Sequence, residues 1–322
     1  MKYSIAVVGL GNIGMGYDYN HSSDDYYLTH SNAANSHDDF HLIAGVDPDR
    51  EKRAKFKKRY QKLSYPSVIE LMEDLQPDVA IIAAPAKEHI EIFTELVKFK
   101  LLAIICEKPF GQNLIESKQM YEIAKKKDIL LGVNYIRRFD PGIRELRDLL
   151  RNKEIGKIEK VITYYCNGLK NNASHFIDLM NYFFDNIEFK SVLSTGPILE
   201  NDVEPDFLLS NEETDFYFLA IEGKHFNYFS VQLFGSEGMI IYDGNSNIEI
   251  RKSENDPIFL NSKQLSPESD FITTNHNQYQ KNVLDSLSEK LKGKGEFLCD
   301  AKSALESLGI VDQIINEMGK IR

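Results

Sequence analysis

Short apolar runs alternate with longer amphipathic stretches over the N-terminal part of this 322-residue chain. The apolar runs are rich in β-branched residues and predict strands: Ser4–Val8, Leu42–Val46, Val79–Ala84, Leu102–Cys106 and Ile129–Val133. Between them, apolar residues recur at intervals of three and four and predict helices: Arg50–Tyr60, Val68–Leu75, Glu88–Lys98 and Leu114–Lys126. Apolar strands that alternate with helices form a parallel sheet covered on both faces. We therefore predict a doubly wound α/β domain over residues 1–133.

The pattern changes over residues 134–322. Helical and strand patterns first alternate: Ile143–Leu150, Ile158–Tyr165 and Ala173–Phe184. Short strand patterns with links rich in Gly, Asn, Ser and Asp then predict antiparallel hairpins: Phe216–Ile221, Phe226–Phe234, Met239–Tyr242 and Asn247–Ile250. Ser253–Thr274 is polar and contains two prolines, so it is predicted to be a long surface loop. With the closing helices Gln278–Leu291 and Ala301–Met318, we expect an α+β domain whose mostly antiparallel open sheet has helices on one side.

Composition limits the partners and the compartment. The chain has 38 Lys and Arg against 49 Asp and Glu, a net charge of −11, which disfavours binding to nucleic acid. Its three cysteines, Cys106, Cys166 and Cys299, are far apart, which argues against a disulfide framework and for a reducing compartment. The first apolar run is too short for a signal peptide, and no stretch is long and apolar enough to predict a membrane span. We therefore expect a cytoplasmic protein with no membrane partner.

Residues 9–14 read G-L-G-N-I-G, directly after the first predicted strand. Gly9 permits a tight turn, Gly11 lets a pyrophosphate approach the backbone, and Gly14 permits close packing of a following helix on the strand. The N-terminus of that helix would offer free N–H groups to the phosphates. This context predicts a Rossmann-type dinucleotide site. The residues expected to contact the cofactor are Gly9, Gly11, Asn12, Ile13 and Gly14.

Asp47 ends the second predicted strand and favours NAD over NADP. A carboxylate at this position accepts hydrogen bonds from a ribose diol and repels a 2′-phosphate. Arg50 favours NADP and weakens this preference. Asp47 lies 33 positions after Gly14, whereas the simple motif has about 20, so an insertion is predicted in between.

The insertion, Tyr17–Asp39, is rich in potential metal ligands. They are Asp18, His21, Asp24, Asp25, His30, His37 and Asp38, with His41 just beyond. They follow no tight ligand spacing, so we expect no metal site. The alternatives are a polar surface loop and a lid over the cofactor crevice, because loops at the carboxyl edge of such a sheet overhang the ligand.

Glu107, Lys108 and Pro109 follow the predicted strand that ends in Cys106. This is again the edge at which doubly wound sheets bind ligands. A lysine here could stabilise a developing alkoxide, and Pro109 could orient the backbone, for instance through a cis bond. The alternative is an ordinary solvated turn lysine.

Taken together, these motifs and three others resemble one family. They are Gly9–Gly14, Glu107–Pro109, Gly132–Pro141, Ser174–Asp178 and Gly295–Val311. The chain resembles the Gfo/Idh/MocA oxidoreductases, the family of glucose–fructose oxidoreductase and inositol dehydrogenase. The resemblance implies an NAD-dependent oxidoreductase that transfers hydride between the nicotinamide and a secondary alcohol or ketone of a sugar, cyclitol or nucleotide-linked sugar. It also implies a homodimer or homotetramer.

By resemblance, Lys108 is the active-site lysine and His175 is the general base that takes the hydroxyl proton. Histidine suits this role because its pKa lies near working pH. Where the family usually has Asp, four residues before that histidine, this chain has Asn171, which cannot hold a charge or relay a proton. Two alternatives therefore remain: a catalytically silent sensor that binds NAD and sugar, and a glycosidase that returns the hydride to the substrate within each cycle.

Further residues are expected to contact substrate or cofactor. Those expected at the substrate are Asn134, Tyr135, Arg137, Arg138, Asn171 and Asn172. Those expected at the cofactor, besides the glycine motif and Asp47, are Pro85, His89, Glu107 and Lys108. The two adjacent arginines suit a phosphate-bearing substrate, although one of them is expected to make only a structural ion pair.

Overall fold

A computed structural model describes residues 2–21, 26–199, 202–224, 226–244 and 246–321 of the chain. The chain divides into two units, one made of Met1–Phe139 with Asn277–Leu305 and the other of Asp140–His276 with Glu306–Arg322. The expected division into residues 1–133 and 134–322 therefore differs from the observed one. The chain returns to the first unit at Asn277, so the second unit is interrupted in sequence.

The first unit is built on a parallel sheet with helices between its strands. Its elements are β1 (Tyr3–Val8), α1 (His30–Ser36), β2 (Phe40–Val46), α2 (Arg50–Tyr60), β3 (Leu63–Tyr65), α3 (Val68–Asp74), β4 (Val79–Ile82), α4 (His89–Leu96), β5 (Ala103–Cys106), α5 (Leu114–Lys126) and β6 (Leu130–Val133). The strand order is β3-β2-β1-β4-β5-β6, and every pair is parallel. All residues of β4 and β5 are buried, as expected for a sheet covered on both faces. This confirms the predicted doubly wound fold; among its described strands, only the three-residue β3 was not predicted.

The segment after the glycine motif differs from the expectation. A five-residue π-helical turn, Asn12–Gly16, stands where a regular helix was expected. The first regular helix, α1, comes only at His30, within the insertion. The Asp18 carboxylate accepts hydrogen bonds from the backbone N–H groups of Leu28 and Thr29, and Thr29 caps α1. The described part of the insertion is therefore ordered by its own polar residues.

The second unit has a nine-stranded, mostly antiparallel sheet. Its elements are α6 (Pro141–Arg151), β7 (Ile158–Tyr165), α7 (Ser174–Phe183), β8 (Glu188–Ser194), β9 (Asp206–Ser210), β10 (Asp215–Ala220), β11 (Ser230–Gly235), β12 (Gly238–Tyr242), β13 (Asn247–Asn255), β14 (Lys263–Leu265) and β15 (Asp270–Thr273). The order is β14-β13-β12-β11-β7-β10-β9-β8, with β15 paired to β13. Among the described strands of this sheet, β7 and β10 are the one pair that is parallel. The expected α+β class is confirmed.

Three details of the second unit correct the sequence prediction. The predicted loop Ser253–Thr274 contains β14, β15 and the end of β13. The strand predicted from Phe226 begins at Ser230. Strands β8 and β9 were not predicted; β8 is largely exposed or half-buried, so its residues lack the apolar pattern of a core strand.

Two helices close the chain, α8 (Tyr279–Leu291) and α9 (Ala301–Ile321). Helix α8 belongs to the first unit and packs against α1. There the His37 Nε2 atom lies 3.0 Å from Asp285 Oδ1, and the Ser288 hydroxyl donates to Asp39 Oδ2 at 2.6 Å. These bonds anchor the C-terminal half of the insertion to its own unit. None of the helices in the described ranges has the length and apolarity that a membrane crossing requires.

Candidate active site

The glycine motif forms a backbone cradle at the end of β1. Gly9 has φ +97°, and a Cβ there would lie 2.5 Å from the Ala84 nitrogen, so only glycine fits. A Cβ on Gly14 would lie 1.9 Å from the Gly9 oxygen, which shows how tightly the turn packs on itself. A Cβ on Gly11 would meet no atom within 4 Å. The open space beside Gly11 is where a pyrophosphate would approach the backbone, so this loop fits a dinucleotide.

A cleft of about 690 Å³ lies at the carboxyl ends of β1, β2 and β4, the edge at which such sheets bind ligands. Six of the residues predicted to contact the cofactor line it: Gly9, Gly11, Asn12, Ile13, Asp47 and Pro85. Gly14 packs behind the loop instead. The structure therefore brings most of the predicted cofactor residues together within the first unit.

The Asp47 carboxylate is held rigidly at this cleft. Its Oδ2 atom accepts the Leu10 N–H at 2.9 Å and its Oδ1 atom accepts the Asp49 N–H at 2.9 Å. Lys52 Nζ lies 3.5 Å from Oδ2. A carboxylate has about four lone-pair sites, so Asp47 retains acceptor capacity for a ribose diol. Arg50, which the sequence suggested would favour NADP, is exposed and is not among the described residues that line the cleft.

His89 differs from its predicted role at the cofactor. The residue is buried, with Nε2 2.7 Å from the Ala84 carbonyl oxygen and Nδ1 3.1 Å from that of Pro109. Burial lowers the pKa of His89 despite these carbonyl contacts, which favours the neutral ring. A neutral ring can donate to only one of these two carbonyls, and its Nδ1 atom also lies 3.4 Å from Cys106 Sγ, so both nitrogens contact groups of the protein.

Glu107 lies in a buried polar network rather than at the cleft surface. Its Oε1 atom is 2.8 Å from His30 Nε2 and accepts the Asn134 side-chain amide at 2.6 Å. Burial raises the pKa of Glu107, but the bonds and charges of His30, Asn134 and Lys108 outweigh it and leave that pKa below its usual value. The carboxylate is thus ionised beside Lys108. Glu107 is not among the described residues that line the cleft, and its contact with the cofactor stays a prediction.

Lys108 is half-buried at the carboxyl end of β5, where the sequence placed it. Its backbone N–H donates to Glu107 Oε2 at 3.3 Å. The peptide bond to Pro109 is cis, one of the possibilities considered from the sequence. The His30–Glu107 pair therefore holds the backbone that carries this lysine.

The segment after β6 was predicted to meet substrate, but most of it contacts its own unit. Asn134 is 1% exposed and donates to the Gln280 side-chain oxygen at 3.1 Å as well as to Glu107. Tyr135 and Arg138 are buried, and Arg138 donates to the Leu298 carbonyl at 3.5 Å. Arg138 thus contacts a backbone carbonyl of its own unit, and the ion pair expected for one of the two arginines stays a prediction. Arg137 is half-buried.

The second unit carries Asn171, Asn172 and His175. A π-helical turn, Leu169–Ala173, leads directly into α7, which places buried His175 in the first turn of that helix. Asn171 is exposed, and its backbone N–H donates to Asp202 Oδ2 at 3.0 Å. The Asn172 side-chain amide donates to the Cys166 carbonyl at 3.0 Å, so this nitrogen supports the turn.

Sequence reasoning missed three residues that shape these sites. Lys52 pairs with Asp47, and Gln280 and His30 complete the buried network around Asn134 and Glu107. For His30 a signal was visible, since it belonged to the histidine-rich insertion, but its partner is a single carboxylate.

Among the residues that the structure describes, no cluster of three or more His, Cys, Asp or Glu side chains is arranged to bind a metal ion. Asp24 and Asp25, two of the potential metal ligands that the sequence suggested, lie outside the described residues.

Comparison with known proteins identifies the first unit. Residues 3–135 match the family described as GFO_IDH_MocA, oxidoreductase family, NAD-binding Rossmann fold. Over 153 residues the chain is 31% identical to myo-inositol 2-dehydrogenase of Thermotoga maritima, a match that covers 48% of this chain and 42% of that protein. The chain thus matches less than half the length of this relative.

Solved structures extend the similarity of fold to the whole chain. An oxidoreductase from Agrobacterium radiobacter in complex with NAD+, L-tartaric acid and magnesium has a TM-score of 0.79 and 15% identity, covering 100% of this chain and 98% of that one. A 3-ketoreductase from Actinomadura kijaniata in complex with NADP has a TM-score of 0.76 and 14% identity, covering 98% of both chains. At these identities the likeness concerns the fold. The sequence match of residues 3–135 shows that this part of the chain is similar to the NAD-binding Rossmann domain of the Gfo/Idh/MocA oxidoreductase family.

Proposed function

We propose that this protein is an NAD-dependent oxidoreductase that transfers hydride between nicotinamide and a secondary alcohol or ketone of a sugar or cyclitol. The observation that carries the proposal is the cradle of the first unit, where the open backbone at Gly11 and the fixed carboxylate of Asp47 line one cleft. The myo-inositol 2-dehydrogenase relative supports a polyhydroxylated substrate. The arginine pair that favoured a phosphate-bearing substrate supports it less, because Arg138 is buried against a backbone carbonyl.

The residues of the cradle would bind the nucleotide by backbone and charge. N–H groups of the glycine loop would donate to a pyrophosphate in the open space beside Gly11, and Asp47 would accept the ribose hydroxyls. The nicotinamide, when bound, supplies the hydride acceptor or donor. The remaining chemistry is the movement of one proton and the stabilisation of charge on the substrate oxygen.

We propose Lys108 and His175 for those two tasks. The Lys108 ammonium would stabilise the alkoxide that develops on the substrate, and the adjacent ionised Glu107 keeps the lysine in a charge-balanced environment. His175 would accept the hydroxyl proton during oxidation and return it during reduction. Asn171 would orient a substrate hydroxyl through its side-chain amide without carrying charge.

A homodimer or homotetramer is part of the proposal. The second unit exposes large apolar side chains, among them Leu193, Phe226 and Phe271 at 50%, 65% and 65%, which association would remove from water. Light scattering of the purified protein measures its mass directly.

The proposal is tested first by binding and then by turnover. NADH is titrated into the purified chain while its nicotinamide fluorescence is followed, because the protein has no Trp to interfere. Cyclitols and sugars are then screened for NADH formation with NAD. We expect saturable binding, and turnover that falls by about 10²–10⁴-fold in Lys108→Ala and in His175→Ala.

Lys118→Ala and His41→Ala are matched controls, since both side chains are exposed on elements of the first unit. Full activity in these controls assigns the losses to Lys108 and His175. Failure of the folded, nucleotide-free protein to bind NADH refutes the proposal. Binding of NADH and sugars without turnover identifies the sensor, and cleavage of a glycoside without net NADH identifies the glycosidase.

A further inference from the structure

The helical segment that carries Asn171 and His175 begins with backbone N–H groups that it cannot satisfy itself. A π-helical turn, Leu169–Ala173, runs directly into α7. The first N–H groups of a helical segment have no partner inside it, so they need acceptors from elsewhere. The segment Asp202–Glu204, which lies 31 to 36 positions further along the chain, supplies these acceptors.

Asp202 accepts hydrogen bonds with both of its carboxylate oxygens. Its Oδ1 atom accepts the Lys170 N–H at 3.1 Å, and its Oδ2 atom accepts the Asn171 N–H at 3.0 Å. The Val203 N–H also donates to Oδ1, at 2.9 Å, which fixes the carboxylate on its own segment. A Cβ on Gly168 would lie 2.2 Å from Oδ2, so the close approach of this carboxylate requires a glycine there. Hydrogen bonds to a carboxylate are roughly twice as strong as those between neutral groups.

The next two residues of the segment bind the start of the turn. The Val203 carbonyl accepts the Leu169 N–H at 2.8 Å. Glu204 is 3% exposed, and its Oε1 atom accepts the Gly168 N–H at 2.9 Å. The N–H groups of residues 168–171 are thus all bound by three consecutive residues, which we call the clamp.

The clamp acts on the residues proposed to meet substrate, because they belong to the same continuous helical segment. Asn171 donates one of the four N–H groups, and the Asn172 N–H donates to the Gly168 carbonyl at 3.0 Å within the turn. His175 follows Asn171 by four positions, about one helical turn, and is buried at the start of α7. A displacement of the turn would therefore move Asn171 and His175 together.

We propose that Asp202 and Glu204 are positioning residues of the oxidoreductase reaction, which hold the turn so that Asn171 and His175 meet the reacting hydroxyl of the substrate. Neither carboxylate has to touch the substrate, since each acts through backbone N–H groups of the turn. This inference rests on the proposed function, because it uses the roles that are proposed there for Asn171 and His175.

Asp202→Asn tests the clamp, because an amide nitrogen replaces one carboxylate oxygen and cannot accept an N–H. Steady-state kinetics are measured with NAD and the cyclitols and sugars of the screen, beginning with myo-inositol. We expect kcat to fall about 10- to 100-fold, since misplacing a catalytic group by about 1 Å costs about 10²-fold. The KM for NAD should stay unchanged, because the described residues that line the cofactor cleft all belong to the first unit.

Asp243→Asn is the matched control for a merely structural role. Asp243 is also half-buried in the second unit, and its Oδ1 atom accepts the N–H groups of Ser246 and Asn247 at 2.9 and 3.2 Å. These bonds lie in the hairpin between β12 and β13 rather than at the turn. Asp243→Asn should therefore lower Tm by an amount similar to that in Asp202→Asn and leave kcat unchanged.

Two substitutions of Glu204 separate its hydrogen bond from the rest of its side chain. Glu204→Gln keeps an oxygen that can accept the Gly168 N–H, so this variant should retain most of the wild-type kcat. Glu204→Met has a similar length and lacks that acceptor, so its kcat should fall as in Asp202→Asn. Equal kcat values in the two variants would overturn the role of Glu204.

Hydrogen exchange of backbone amides provides a measurement that needs no substrate. In Asp202→Asn the amides of residues 168–171 should exchange faster than in the wild-type protein, because the turn loses an acceptor and opens more often. Unchanged exchange there, an unchanged kcat in Asp202→Asn, or an equal loss of kcat in Asp243→Asn overturns the proposal. All these results leave turnover by the wild-type protein intact, whereas absence of that turnover would refute the proposed function itself.

Discussion

His30→Ala is the substitution that most directly tests how the insertion supports the segment around Lys108. His30 is 1% exposed, and its Nε2 atom lies 2.8 Å from Glu107 Oε1. The variant leaves the Glu107 carboxylate buried with two remaining donors, the Asn134 amide at 2.6 Å and the Lys108 N–H at 3.3 Å. It also removes the interaction that most strongly lowers the pKa of Glu107, so that pKa should rise.

The size of the effect follows from these contacts. A hydrogen bond to a charged group contributes about 1.5–3 kcal/mol, and Glu107 is the charged partner here. Two donors to Glu107 survive, so we expect a loss of no more than the upper end of this range, about 3 kcal/mol near pH 7. For a unit of this size, that corresponds to a fall in Tm of about 6–12 °C.

Thermal unfolding followed by far-UV circular dichroism measures the effect, with His41→Ala as control. His41 is exposed on β2, so its removal should shift Tm by less than about 2 °C. Glu107→Gln should partly rescue His30→Ala, because it removes the buried charge, and the double mutant should deviate from additivity by about 1 kcal/mol or more. A shift in His30→Ala equal to that of His41→Ala, or strict additivity with Glu107→Gln, would refute the reasoning.

Two further predictions concern the turn and the buried histidine. Gly14→Ala should weaken NADH binding and destabilise the fold by about 1–3 kcal/mol, because its Cβ would lie 1.9 Å from the Gly9 oxygen. A Cβ added at Gly309 in α9 would meet no atom within 4 Å, so Gly309→Ala should raise the free energy of unfolding by up to about 1 kcal/mol. Denaturant titrations in which Gly14→Ala and Gly309→Ala change this free energy in the same direction would contradict the prediction. Burial lowers the pKa of His89 below 6.5, so the unfolded chain binds more protons and the free energy of unfolding should fall as the pH drops below that value. In His89→Gln the free energy of unfolding should change less between about pH 7 and 5 than it does in the wild-type protein. An equal pH dependence in the two proteins, measured by the same denaturant titrations, would exclude His89 as its cause.

The local pattern of the sequence was sufficient for the first unit's architecture. Strands such as β4 and β5 are buried on both faces, so they appear as unbroken apolar runs whatever surrounds them. Gly9 and Gly14 could also be predicted from the sequence, because the need for a residue without a Cβ arises from backbone contacts around a short turn. The second unit was predicted less well where strands are exposed, as in β8, or very short, as in β14, because such strands have little apolar periodicity.

The functional residues also include some that the local sequence predicted well and others that it did not. The cofactor edge was predictable, since glycines and an acid at the strand ends identify it by position. His89, Glu107 and Arg138 form hydrogen bonds with groups of the protein, and their contacts with cofactor or substrate stay predictions. The sequence marks each of them as polar near a strand end without showing which groups face it. Burial then decided these partners, since a polar group away from water must find a donor or acceptor in the fold.

The sequence by itself determined the parallel sheet, the glycine cradle and the positions of Asp47 and Lys108, because short-range periodicity and backbone geometry dictate these features. Tertiary structure alone decided that His30 meets Glu107 across 77 positions and that Asn134 meets Gln280 across 146 positions. It also decided that residues 277–305 return to the first unit. Such pairings depend on which surfaces are buried together, and a side chain's charge carries no information about its partner until the chain has folded.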